Sequence, residues 1–341
     1  MFVVENKDMI QILHDYHING KLIGITELQR YYYEEDNPDS KEVRLIVRVD
    51  LEEMPSVVMR FKNEKDVSIE LIESQCQFAE TMKNSGITTP TQYKAEGKFA
   101  KWYHIRGYDV IVTIEEFVSN EIKVVDAAIA KKTGELLARM HTISEQQKLH
   151  VDNEVLFNPF THNDLFAYDA FLTIKSMLEK EDKQLFEEIV EKYHAYMDIL
   201  APLKQRPRYA VQGDISQCNL YCTRLGEVGI FDFNRSGDNI LFCDAIMQAV
   251  FEARLMDYPG ECGIDYEIII LKSFLEGYCS IRSFSEEEQH WYPYLLAIIH
   301  AFWSVDICWS EKSLLNVCKK GESERVHQWL LIIKERLEIS V

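Results

Sequence analysis

The chain has 341 residues, 47% apolar and 27% charged, with a formal net charge of −19. This composition is that of a globular protein long enough for one two-lobed unit or two domains. The acidity argues against a nucleic-acid partner, whose phosphates would be repelled, and is compatible with a cationic or amine-bearing one.

The start, Met1-Phe-Val-Val-Glu-Asn-Lys-Asp8, has no basic region followed by a long apolar run, so no signal peptide is expected. The longest apolar stretch, near Leu295 to Trp303, contains His300 and is too short to span a bilayer. Eight scattered cysteines include no Cys-x2-Cys, and Cys218 and Cys222 lack a second pair with which to hold zinc. The expectation is a cytoplasmic protein with reduced thiols.

Residues 8–19 read as a short amphipathic helix with Met9, Ile12, Leu13 and Tyr16 on one face. Three β-type runs follow, 23–33, 43–49 and 57–62, separated by turn-rich segments at 34–41 and 52–55. That spacing predicts an antiparallel meander. In the third run Arg60 and Lys62 lie two apart, so both face the same side of the strand. Residues 67–85 read as a helix ended by Gly86, and two more strands are expected at 100–105 and 110–116. The second of these leads through Phe117 and Val118 to a polar break at Ser119-Asn120.

From Val124 the pattern changes to long helices, with Ile129, Leu136, Leu137 and Met140 on one stripe and His141 read as a packed residue. His162-Asn163-Asp164 leads into a helical pattern, so its Asn or Asp reads as a helix cap. Helices are expected at 165–181 and 183–201, before Pro202 and Pro207.

The stretch richest in chemistry is Ala210-Val-Gln-Gly-Asp-Ile-Ser-Gln-Cys-Asn-Leu-Tyr221, followed by Gly229-Ile-Phe-Asp-Phe-Asn234. Asp214, Asn219 and Asp232 would sit on a loop and at the end of a returning strand. Asp and Asn usually cap backbone groups in such turns. Here the apolar entry, the Gly before the Asp, the Asp-x4-Asn spacing and the second apolar-Asp-Phe run point instead to phosphoryl transfer. That reaction needs one carboxylate to take the proton of the attacking hydroxyl. It also needs an amide oxygen and a second carboxylate to hold Mg²⁺ against the phosphates. A polar loop at 234–239 follows, in which Asp238 either caps the next helix or faces a substrate. That helix carries Phe242, Ile246, Ala249, Val250 and Ala253 on one face; helices at 265–283, 286–310 and 322–338 complete the chain.

These phrases resemble the aminoglycoside phosphotransferase and choline kinase group of small-molecule kinases, which share the protein-kinase-like fold. The match is to the family's His-Gly-Asp-x4-Asn and Ile-Asp-Phe phrases, with Gln212 standing where the family has His. Thr133 to His141 is similar to its Gly-x-x-Leu-Ala-x-Leu-His phrase. The resemblance implies an α+β fold. Residues 1–118 would form a small antiparallel nucleotide-binding lobe ending in a hinge, and 119–341 a large, mainly helical lobe with the catalytic loop and acceptor site. It implies Asp214 as base and Asn219 and Asp232 as metal ligands. It also implies Arg60, with Lys62 second, as the phosphate cation, and main-chain contacts to adenine around Glu116, Phe117 and Val118. An acid on the helix at 67–85 would pair with the cation, but Glu73 is only the nearest acid and Gln75 stands at the expected position. Asp244 would bind the catalytic loop from beneath. Asp238, Trp303 and Asp306 are acceptor candidates, with Trp309 and Glu311 nearby; Trp303 and Trp309 read more readily as helix core, because aromatic stripes at helical spacing are usually packing.

The expected activity is an ATP- and Mg²⁺-dependent transfer of phosphate to a hydroxyl of a small molecule, an amino-alcohol, amino sugar or homoserine-like compound. GTP stays open as donor, because the acidic turn between the first two strands has no glycine to approach the phosphates. The alternative is a catalytically silent kinase-like binding protein, suggested by Gln212 and that missing loop. A protein kinase is disfavoured, since no Ala-Pro-Glu-like segment follows Asp232.

Overall fold

The computed structural model describes residues 1–161, 163, 165–215, 219–255 and 264–338. In chain order its first elements are α1 (Asn6–Asp15), β1 (Lys21–Tyr31), α2 (Tyr33–Asp36), β2 (Val43–Glu52), β3 (Val57–Asn63), α3 (Ile69–Asn84), β4 (Lys101–Ile105) and β5 (Tyr108–Glu116). Then come α4 (Ala127–Gln147), α5 (Tyr168–Thr173), α6 (Lys175–Leu200), β6 (Tyr209–Val211), β7 (Leu220–Cys222), β8 (Val228–Ile230) and β9 (Gly237–Asn239). The chain finishes with α7 (Leu241–Leu255), α8 (Ile264–Ile281), α9 (Glu286–Ala301), a π-helical turn at Val305–Trp309, α10 (Leu314–Lys320) and α11 (Ser323–Leu337). No helix among the described residues is long and apolar enough to cross a membrane.

The chain divides into two compact units, one of Met1–Ile122 with Asn219–Asn234, the other of Lys123–Cys218 with Arg235–Val341. The first is built on a five-stranded antiparallel sheet of order β1-β2-β3-β5-β4. In β2 burial alternates: Val43, Leu45, Val47, Val49 and Leu51 are buried, and the residues between them only partly so. Met9, Ile12 and Leu13 of α1 and Tyr16 at its end pack on that buried face, together with Val57, Met59 and Phe61 of β3. The Tyr16 hydroxyl donates to the carbonyls of Phe99 and Val112, which ties the helix to the sheet by polar as well as apolar contacts. The β7–β8 hairpin completes this unit, held by the Ile122 N–H donating to the Leu220 carbonyl and the Ile230 N–H to the Thr88 carbonyl.

The second unit is helical apart from β6 and β9, which pair antiparallel. The expected break between helices at residue 182 is a kink inside α6: Asp182 leaves helical geometry and its carboxylate caps the Leu185 N–H. The helix expected at 286–310 stops at Ala301 and gives way to the π turn. The polar segment expected as a loop at 234–239 contains β9. Asn163 accepts the N–H groups of Leu165 and Phe166 in the turn before α5, whose N-cap is Ala167, so it does not cap that helix; its neighbours His162 and Asp164 lie outside the described residues.

Helices α4 and α8 cross closely because Gly277 presents bare backbone to the Lys131 carbonyl, where a Cβ would overlap the oxygen. Gly277→Ala is therefore expected to lower stability by about 1–3 kcal/mol or more through overpacking. A urea denaturation midpoint equal to that of the parent chain would show that the crossing relaxes freely.

Candidate active site

Strand β3 lies between β2 and β5, so its side chains are enclosed on both sides. Arg60 is 8% exposed and Lys62 is 5% exposed, far from the solvated strand edge on which basic residues commonly sit. Buried cations need partners. The Arg60 guanidinium donates to Glu115 of β5, whose other oxygen accepts from the Gln92 side-chain amide at 2.7 Å. Burial disfavours the Arg60 charge, but Glu115 and then Asp232 outweigh it and keep the guanidinium protonated. Lys62 Nζ donates to Asn234 Oδ1 at 2.6 Å. Burial pulls the Lys62 ammonium down to about 8, against the pull of Asp232 in the other direction.

The acid beside the strand cation thus comes from the neighbouring strand. Glu73 of α3 instead accepts the N–H groups of Phe99 and Ala100, at 2.9 Å each. Gln75 donates to the Asn234 carbonyl at 2.8 Å. Sequence reasoning missed Glu115 because it was read only as hinge strand. The available signal was register: Arg60 pairs with Thr113, which puts Glu115 on the same face two residues away.

The β7–β8 hairpin places Asn219 and Asp232 at neighbouring backbone positions at its open end. Leu220 pairs with Ile230, and the Phe231 N–H donates to the Asn219 carbonyl at 2.9 Å, so Asp232 returns beside the start of β7. Asp232 takes a left-handed φ of 57°. Its Oδ1 accepts from the Asn234 backbone N–H at 3.1 Å and from the Asn234 side-chain amide. Burial alone would raise its carboxyl, but Arg60, Lys62 and the Asn234 donors hold it below the usual carboxylate range. An ionised carboxylate and an amide oxygen on one hairpin suit a hard cation such as Mg²⁺. That ion commonly takes one or two protein oxygens and draws the rest from phosphates and water. Among the described residues no group of three or more His, Cys, Asp or Glu could hold a metal by itself.

At the end of β5 the Glu116 N–H donates to the Thr91 carbonyl at 2.9 Å and the Phe117 N–H to the Ser56 carbonyl at 2.8 Å. The Arg48 guanidinium covers the Phe117 ring at 4.5 Å. Of residues 116–118, only Val118 has a backbone N–H without a backbone partner among the described residues.

In the second unit, Gly213 turns the chain with a φ of 80°. Gln212 is fully buried and its side-chain oxygen accepts the Asp214 N–H at 2.8 Å. The Ile215 N–H donates to Gln248 Oε1 at 2.9 Å, and Gln248 in turn donates to Asp244 at 3.3 Å. Among the described residues of this loop, the backbone contact to α7 is the one made by Gln248, one helical turn beyond Asp244. Asp244 stands behind it and is bonded at 3.0 Å to His141 Nε2, whose Nδ1 meets the Tyr278 hydroxyl at 2.9 Å.

The acceptor candidates are drawn into other contacts. Asp238 accepts the Val151 N–H at 2.8 Å and pairs with the His150 ring, so it anchors the segment after α4 rather than capping α7. Trp303 is 1% exposed, packed on Phe251 with the Arg254 guanidinium 5.6 Å from its ring: a core residue, not an open surface. Asp306 accepts from both Arg254 and Arg336 at 2.7 Å, because the π turn aims it at α7 and α11. Trp309 is 53% exposed.

No protein-family model matches the sequence, and no curated protein matches it. Solved structures match it over nearly the whole length. An amicoumacin kinase, hAmiN, solved with AMP-PNP, Ca²⁺ and Ami, is 13% identical, with 98% of this chain and 96% of that one covered and a TM-score of 0.58. A microcompartment-associated aminopropanol kinase is 13% identical, covering 98% and 95%, with a TM-score of 0.53. An aminoglycoside phosphotransferase from Alicyclobacillus acidocaldarius is 10% identical, covering 92% and 93%, with a TM-score of 0.51. The fold is therefore protein-kinase-like, an N-terminal five-stranded antiparallel sheet followed by a mainly helical part, as in small-molecule kinases.

Because Arg60 and Glu115 are both buried, Arg60→Met alone should cost about 3–5 kcal/mol by leaving a buried carboxylate without its counter-charge. The double variant Arg60→Met/Glu115→Leu should recover most of that loss. Chemical denaturation of the two variants checks this, and equal losses would mean that the pair is not coupled.

Proposed function

We propose that this chain, with the fold of small-molecule kinases, is an ATP- and Mg²⁺-dependent phosphotransferase that moves the γ-phosphate to a hydroxyl of a small molecule. The observation that carries this reading is one unit of the fold holding an ionised Asp232, an amide at Asn219 and two buried cations, Arg60 and Lys62. That combination suits a polyphosphate and its metal better than any purely structural need, since burying such charges is costly.

In this reading Lys62 and Arg60 bind the nucleotide phosphates and Val118 offers its N–H to the adenine edge. Asn219 and Asp232 hold Mg²⁺, which supplies neutralisation of charge on the phosphates. Asp214 orients the acceptor hydroxyl and takes its proton as the oxygen bonds to the γ-phosphorus. The bond from that phosphorus to the bridging oxygen breaks and ADP leaves with the electron pair. Gln212 is compatible with turnover, because its side-chain oxygen supports the Asp214 backbone as a loop residue must. The acceptor class is an amino-alcohol, an amino sugar or a homoserine-like compound. Two similar structures are named for amine-bearing substrates, aminopropanol and aminoglycosides, and the net charge of −19 favours a cation. The corresponding location is the cytoplasm, where ATP is at hand.

Asp214→Ala should reduce turnover by about 10²–10⁴-fold, the usual worth of a positioned base, while a Mg²⁺-dependent thermal shift with ATP or ADP persists. Turnover within a few-fold of the parent chain would remove Asp214 from the mechanism. Metal-free ADP should bind progressively more weakly above about pH 8, because Lys62 then loses its proton and with it the attraction for phosphate. Calorimetry from pH 7 to 9.5 measures this, and an affinity flat across that range would show that deprotonation of Lys62 does not govern ADP binding there.

A further inference from the structure

Asn234 has no part in the assignment above, yet three elements converge on it. Its backbone N–H and side-chain amide both donate to Asp232 Oδ1. Its side-chain oxygen accepts from Lys62 Nζ of β3 at 2.6 Å. Its carbonyl accepts from the Gln75 side chain of α3 at 2.8 Å. The orientation of the amide follows from chemistry: an ammonium only donates and an ionised carboxylate only accepts, so oxygen must face Lys62 and nitrogen Asp232. A carboxylate at this position would oppose Asp232, and an apolar side chain would leave both charges short of a partner.

We propose that Asn234 is a positioning residue of the nucleotide and metal set, its single amide holding the metal carboxylate of Asp232 and the phosphate cation Lys62 at a fixed separation. This rests on the kinase reading and adds to it. With Oδ1 tied by two donors, the Asp232 carboxylate cannot rotate freely, so one orientation is presented to the metal. With Nζ tied to the same amide, the Lys62 stem keeps one rotamer. The entropy of ordering both groups is then spent on folding rather than on binding, which is the advantage of a preorganised site. Gln75 fixes the backbone from which the amide projects.

The test is calorimetric titration of the full-length chain with ADP, with and without Mg²⁺, alongside the melting temperature of the ligand-free protein. Asn234→Ala should weaken metal-free ADP at least fivefold and reduce the Mg²⁺ enhancement of ADP affinity at least tenfold. In a Lys62→Met background Asn234→Ala should weaken metal-free ADP no further, since the cation it positions is gone. Asn234→Ser, which keeps a donor and an acceptor on a shorter side chain, should fall between parent and Asn234→Ala, and it carries the test if the alanine variant does not fold. Metal-free affinity and Mg²⁺ enhancement both within twofold of the parent would overturn the proposal. So would an equal loss with and without Lys62, which marks a general structural effect. If the parent chain binds ADP neither with nor without Mg²⁺, the kinase reading itself fails, a result distinct from either.

Discussion

Two positive charges buried on one strand must be balanced, and much of the first unit follows from that requirement. Arg60 and Lys62 sit on the face of β3 opposite the α1 core. Leaving either unpaired would cost several kcal/mol. The partners come from different places. Glu115 on the adjacent strand takes Arg60, and the turn after β8 brings Asp232 and Asn234 to Lys62. The same charges return the benefit to Asp232, whose buried carboxyl stays ionised because two cations face it. Electrostatics and backbone topology are coupled here: the β7–β8 hairpin is what delivers the carboxylate.

The second unit solves a different problem. Residues 212–215 form an irregular stretch between β6 and the hairpin, and irregular backbone needs side-chain partners for its N–H groups. Gln212 supplies one and Gln248 another, both through neutral amides. Behind Gln248 the chain of contacts runs through Asp244 and His141 to Tyr278, linking α7, α4 and α8. A neutral first contact has a physical advantage: it fixes the backbone without placing a second formal charge next to the Asp214 carboxylate.

The sequence was most readable where periodicity was strong. The alternating β2, the α1 stripe of Met9, Ile12 and Leu13, and the order of sheet then helices were all legible from hydrophobic spacing. Asp214, Asn219 and Asp232 stood out because their residue types and spacing carry a chemistry. What stayed hidden depends on neighbours distant in sequence. The Arg60–Glu115 pair spans 55 residues and Lys62–Asn234 spans 172. Gln248 escaped notice because an amide in the middle of an apolar helix carries no motif. The surroundings of Asp306 were hidden for a related reason, since it lies in a π turn that helical periodicity does not announce. Identities of 10–13% with chains of the same fold fit this pattern. Cores accept many apolar sequences of suitable volume, so architecture outlasts sequence likeness.

Moving the counter-charge from a helix to a strand has a further consequence. Were the acid on α3, the cation would be fixed only when that helix was correctly docked. Glu115 instead lies in the same sheet as Arg60, in a register set by continuous β3–β5 pairing, so the pair forms as the sheet forms. Helix α3 then meets the charged site through a neutral attachment, Gln75 to the Asn234 carbonyl, while its Glu73 carboxylate is taken up by the Phe99 and Ala100 N–H groups. A neutral hydrogen bond of this kind is worth about 0.5–1.5 kcal/mol, well below the cost of breaking a buried ion pair. The position of α3 is therefore weakly coupled to the charge state of β3. The Arg60–Glu115 pair so built is complete within its sheet, and the turn at Asn234 joins the Asp232 carboxylate, Lys62 and helix α3 to it.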